Sequence, residues 1–85
     1  MKNEIYKNLL KLETLEEIAN HAEADYEKEP ENREFEETFD RAYKNEFDCF
    51  LLVSGQIAKM AGIDEKTARA MVKGKREELK RILTA

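Results

Sequence analysis

Residues 32 to 61, NREFEETFDRAYKNEFDCFLLVSGQIAKMA, carry apolar side chains at Phe35, Phe39, Ala42, Tyr43, Phe47, Phe50, Val53, Ile57 and Ala61. Steps of three and four residues keep all of these on one side of a 3.6-residue helix, in one phase from end to end. Asn32 is an N-cap residue type, so the pattern predicts one helix opening there and running to Ala61. At 1.5 Å per residue such a helix is about 45 Å long. A compact chain of 85 residues has a radius of gyration near 12 Å, hence a diameter of roughly 30 Å, so this helix must overhang. What covers its aromatic ladder (Phe35, Phe39, Tyr43, Phe47, Phe50) therefore bears on function. The candidates are other helices of the chain or a second copy of it.

Working outward, residues 3 to 11 (NEIYKNLLK) read as a short helical segment, with Ile5, Leu9 and Leu12 along one side. Thr14 followed by Glu17 has the spacing of a capping box, which predicts a second helix starting at Thr14. Its Leu15, Ile18, Ala19, Ala22 and Tyr26 fall within a stripe about 100° wide, and Pro30 ends it. Beyond Ala61, Gly62 supplies a residue able to adopt a left-handed C-terminal conformation. Asp64 then caps a last helix that buries Ala68, Met71, Val72, Leu79, Ile82 and Leu83. One proline, three glycines and 40% charged residues oppose a sheet. The expected fold is all-α: a small helical bundle, one domain over 1–85, with one long central helix over about 32–61 and a C-terminal helical hairpin over about 64–83.

The chemistry-bearing residues are few. Cys49 is the only thiol and His21 the only histidine, so no internal disulfide and no soft-ligand zinc site can form. Nothing in the sequence orients a Cys49–His21 pair for nucleophilic catalysis. Glycine-rich phosphate loops and calcium-binding loops are absent. The expectation is a protein that is not an enzyme, with no catalytic residue, cofactor, metal or small-molecule substrate. The opening residues MKNEIYKNLLKLET lack the apolar core of a secretory signal, and the longest apolar run, Phe50 to Val53, is too short to cross a bilayer. A cytoplasmic protein without a membrane role is expected.

The net charge of −4 conceals an imbalance. Residues 1 to 55 carry fifteen acids against seven bases, and residues 56 to 85 carry four acids against eight bases. Acids are densest between residues 23 and 40, where nine stand against Lys28 and Arg33. Glu27, Glu29, Glu31, Glu34 and Glu37 are candidate protein-binding residues for a basic partner; the alternative is a solvated loop and helix start, where acids favour the positive end of the helix dipole. Glu37 with Arg41 and Asp40 with Lys44 have the spacing of i,i+4 pairs on the outer surface.

Residues 57 to 75, IAKMAGIDEKTARAMVKGK, place Ala58, Gly62, Ile63, Ala68 and Met71 where a helix-turn-helix needs a small residue, a turn glycine and later apolar positions. This stretch resembles the helix-turn-helix of the LacI-type and Cro/CI-type repressors. The resemblance implies that the helix from Asp64 enters the major groove of DNA, with Lys66, Thr67 and Arg69 near base edges and Lys73, Lys75 and Arg76 near phosphates. The competing reading is a packing corner: Ala58 and Ala61 allow close approach, Gly62 turns the chain and Asp64 caps the return. The apolar phase runs unbroken through Ser54 and Gly55, where those repressors have a helix break, and the last helix continues past Gly74 through KREELKRILTA. Two functions follow. The first is a helical interaction module, acting on a protein partner or on itself, through an acidic face suited to a basic or nucleic-acid-handling protein. The alternative is a DNA-binding transcriptional regulator.

Overall fold

The computed structural model describes residues 1–85 and contains four α-helices and no strand. They are α1 (Lys2–Lys28), α2 (Arg33–Ala61), α3 (Glu65–Gly74) and α4 (Arg76–Thr84). α1 and α2 form a long antiparallel hairpin, and α3 and α4 pack at the end away from its turn, α3 on α2 and α4 on α1. The molecule measures 45 × 21 × 19 Å with a radius of gyration of 14.7 Å, so the overhang expected from the length of α2 is present.

Each boundary of α2 follows from local chemistry. The Asn32 side chain accepts from the Glu34 and Phe35 amides at 3.0 and 3.3 Å, satisfying two amides that have no partner within the helix. The helix is continuous through Ser54 and Gly55; the buried Ser54 hydroxyl donates to the Phe50 carbonyl at 2.8 Å, which removes the cost of its burial. Gly62 ends α2 in the left-handed region (φ 67°, ψ 36°), with its own amide and that of Ile63 both donating to the Ala58 carbonyl. Asp64 opens α3 by accepting from the Thr67 amide at 2.7 Å. Upstream, Glu29 precedes Pro30, which disfavours helical backbone at Glu29, and α1 stops at Lys28.

Two expectations at the ends of the chain are corrected. The segment 3–11 and the helix from Thr14 are one helix, α1, without a capping box: the Thr14 hydroxyl donates to the Leu10 carbonyl, one turn back. The central helix therefore has a partner of nearly its own length. The last helix is divided at Lys75 (φ −130°, ψ 41°). Arg76 explains how the break is tolerated, since its guanidinium donates twice to the Val72 carbonyl, at 3.1 and 2.9 Å, where the backbone ladder is interrupted.

The main core lies at the four-helix end. Ile5, Leu9 and Leu12 of α1 meet Phe50, Val53 and Ile57 of α2, Ala68 and Val72 of α3, and Leu79 and Leu83 of α4. Toward the α1–α2 turn only Ala19, Ala22 and Ala42 are buried, with Phe39 packed against them and Tyr26 stacked on Phe39 at 5.8 Å between ring centroids. The hairpin thus narrows to an arm with small residues at its contact. Ile18 and Ile82, expected inside, are exposed. No helix is long and apolar enough to cross a membrane.

Candidate interaction groove

α3 covers the face of α2 that carries Ile57 and Ala58, and it ends beside Phe50. The same face of α2 continues toward the turn with Phe47 and Tyr43, which are left half-exposed. Phe50 is 8% exposed, Phe47 48% and Tyr43 58%. Phe47 therefore lies outside the core: α3 has ten residues against the twenty-nine of α2 and cannot reach that far. Phe47 stacks on Phe50 at 6.4 Å, and the Lys73 ammonium lies 5.5 Å from the centroid of the Phe50 ring. These side chains, with Glu16, Glu46 and Arg76, line a cleft of about 470 Å³.

The polar wall of the cleft is an ion-pair cluster that the sequence did not reveal. Arg76, expected near DNA phosphate, is turned inward and makes a two-pronged contact with the Glu16 carboxylate of α1. One helical turn on, the Lys80 ammonium sits 2.8 Å from Glu13, whose hydrogen bond holds the Lys80 pKa above the usual lysine range. Together with Leu79 and Leu83 these pairs fasten α4 to α1. Glu46 has no cation within ion-pair distance. Its burial, and then the nearby Glu16 carboxylate, push its pKa up against the opposing pull of Arg76.

The acidic candidates Glu27, Glu29, Glu31, Glu34 and Glu37 are all exposed around the turn of the arm. Their only ion pair is Glu37 with Arg33 at 3.9 Å, both open to solvent; the expected Glu37–Arg41 and Asp40–Lys44 pairs are not formed. Glu36 and Asp40 also stand without a cation, on the same side of α2 as Tyr43 and Phe47, four and seven residues apart along the helix. An aromatic strip thus grades into an uncompensated acidic one.

Of the residues placed near DNA, Lys66, Thr67, Lys73 and Lys75 are exposed on or just after α3, and Arg69 is half-buried with a 4.0 Å contact to Glu65. The basic excess of the last thirty residues is thereby split. Arg76 and Lys80 are bound internally, Lys73 lies over Phe50, Arg69 contacts Glu65, and Lys66 remains outward.

Cys49 is buried against α1, where its thiol donates to the Asn8 carbonyl at 3.6 Å and burial raises its pKa. His21 lies thirteen residues along α1 from Asn8, about 20 Å at the helical rise, so the two are not brought together. No protein-family model, curated protein or solved structure matches the chain.

Proposed function

We propose that this protein is a non-enzymatic helical interaction module that receives a basic helical surface in the groove formed by α1 and the uncovered part of α2. Tyr43 and Phe47 serve as apolar anchors, and Glu36, Asp40 and Glu46, continued by Glu27, Glu29, Glu31, Glu34 and Glu37 on the arm, attract the positive charge. The observation that carries this reading is the exposure of two aromatic rings, one turn apart, on the face of α2 that α3 covers further along. Helix-in-groove recognition lays the apolar face of a helix into a hydrophobic groove, and aromatic side chains are prominent among those that carry such binding. Carboxylates around the anchors speed encounter and select the sign of the partner.

DNA binding through α3 is the second reading, favoured by the exposed Lys66, Thr67, Lys73 and Lys75 together with the left-handed Gly62 turn and the Asp64 cap. The continuous α2 and the engagement of Arg76 by Glu16 count in favour of the first.

The two are separated by amide-resolved NMR titration with a lysine-rich amphipathic helical peptide and, in parallel, with duplex DNA at low and high salt. The groove reading expects peptide-induced shifts centred on Asp40, Tyr43, Glu46 and Phe47. Salt-sensitive DNA shifts on Lys66, Thr67, Arg69, Lys73 and Lys75, with no peptide response in the groove, would transfer the assignment to DNA binding.

A further inference from the structure

We infer that the groove's occupant is a second copy of this chain, docked across a two-fold axis so that the outer face of α3 in each copy lies in the groove of the other. The inference rests on the groove being a protein-docking surface, and it goes further by naming what docks.

Shape gives the first argument. α3 forms a raised step over the C-terminal part of α2, while the stretch from Phe47 back to Arg33 is a recess. In two copies placed face to face with their α2 helices antiparallel, each step faces the other's recess. The ten residues of α3 span about 15 Å, and α2 from Arg33 to Phe47 about 22 Å, so the step fits within the recess.

Spacing and charge give the second. Lys66, Ala70 and Lys73 form the outward line of α3. Lys66 and Lys73 are seven residues apart, about 10.5 Å, which is also the separation of Asp40 and Phe47 on α2. Because α3 runs back along its own α2, from Gly55 beside Glu65 to Phe50 beside Lys73, it follows the direction of the other copy's α2. Lys66 then meets Asp40 and Glu36, Ala70 passes Tyr43 without obstruction, and Lys73 reaches Phe47, the kind of ring it already faces at Phe50. The unpaired carboxylates of one copy and the outward cations of the other satisfy each other twice, as an isologous contact requires.

Area gives the third. A compact monomer of 10.0 kDa exposes about 5,200 Å², whereas this chain exposes 6090 Å², an excess of roughly 850 Å². A stable interface of standard size takes about 800 Å² from each partner.

Sedimentation equilibrium across a concentration series tests the inference, with two charge-reversed variants: Glu36→Lys with Asp40→Lys, and Lys66→Glu with Lys73→Glu. All four positions are exposed, and circular dichroism checks that the helices persist. The wild type is expected to reach twice 10.0 kDa. Each variant alone should dimerise at least about tenfold more weakly, and an equimolar mixture should recover the doubled mass, because both contacts are again complementary. A wild type that stays monomeric overturns the inference, as do a dimer indifferent to both variants, a mixture that does not recover, or a mass that grows without limit. A single Lys66→Glu variant keeps the groove intact, since Lys66 does not line the cleft. If it binds the lysine-rich peptide at Tyr43 and Phe47 while the wild type remains monomeric, only the self-docking fails; if it binds no peptide either, the groove reading fails too.

Discussion

At the scale of single residues, Glu46 and Arg76 line the same cleft with opposite effects on stability. Glu46 titrates above an ordinary glutamate because the folded protein withdraws it from water and sets it near Glu16. A carboxyl with a raised folded pKa binds its proton more readily in the native state than in the unfolded one. Its ionisation therefore lowers stability as pH rises from the unfolded pKa through the folded one, and the penalty is full above both. Glu46→Gln should accordingly raise the melting temperature at neutral pH and leave it almost unchanged in acid below both pKa values. The gain is small because the carboxyl is partly open to solvent; a lower melting temperature at neutral pH would contradict this account. Arg76→Ala acts in the opposite direction. It leaves Glu16 without its partner and the Val72 carbonyl without two donors, and should cost about 1 to 3 kcal/mol in urea denaturation. Neither role was legible in the sequence, because Arg76 and Glu16 are sixty residues apart and no periodicity links them. Arg76 reads there as one more cation on a basic face.

At the scale of elements, the boundaries that were legible are those set by a residue's own backbone chemistry. Asn32, Pro30, Gly62 and Asp64 each act through a capping bond or an allowed dihedral that needs no distant partner, and the structure places the ends of α1, α2 and α3 beside them. Gly62→Val should therefore destabilise the protein by roughly 1 to 2 kcal/mol, since a β-branched residue resists the left-handed conformation; an unchanged urea midpoint would count against the turn. Misleading signals came from motifs whose meaning depends on context. Thr14 and Glu17 have capping-box spacing, but Leu9 and Leu12 are buried in the same core and hold the helix through that point. The division at Lys75 was missed for the opposite reason, because Ala68 to Leu83 keep a plausible helical phase even though the two halves pack on different partners, α3 on α2 and α4 on α1.

At the scale of the whole molecule, the all-α fold and the overhang were readable from one apolar phase and one length. The groove was not, because periodicity shows which side of α2 is apolar but not how much of that side another helix covers. Phe47 and Phe50 lie on the same stripe and differ in cover, which predicts different outcomes for the same substitution. Phe50→Ala should cost about 3 to 5 kcal/mol, while Phe47→Ala should cost roughly 1 kcal/mol or less and instead weaken docking. Equal losses in thermal unfolding would place both rings in the core. The unequal division of the core between the two ends of the hairpin has a dynamic consequence. The arm is held by three alanines and one aromatic stack, whereas the other end interlocks four helices. Opening of the arm should therefore start at the turn and run inward as a partial unzipping that leaves the four-helix end closed. Amide hydrogen exchange should show this as protection rising steadily from Lys28 toward Glu16 on α1 and from Phe35 toward Val53 on α2, with the slowest amides around Leu9, Val53 and Ile57. A limited protease should make its first cut among Glu29, Pro30 and Glu31, where the turn can be pulled open without disturbing the structure that remains.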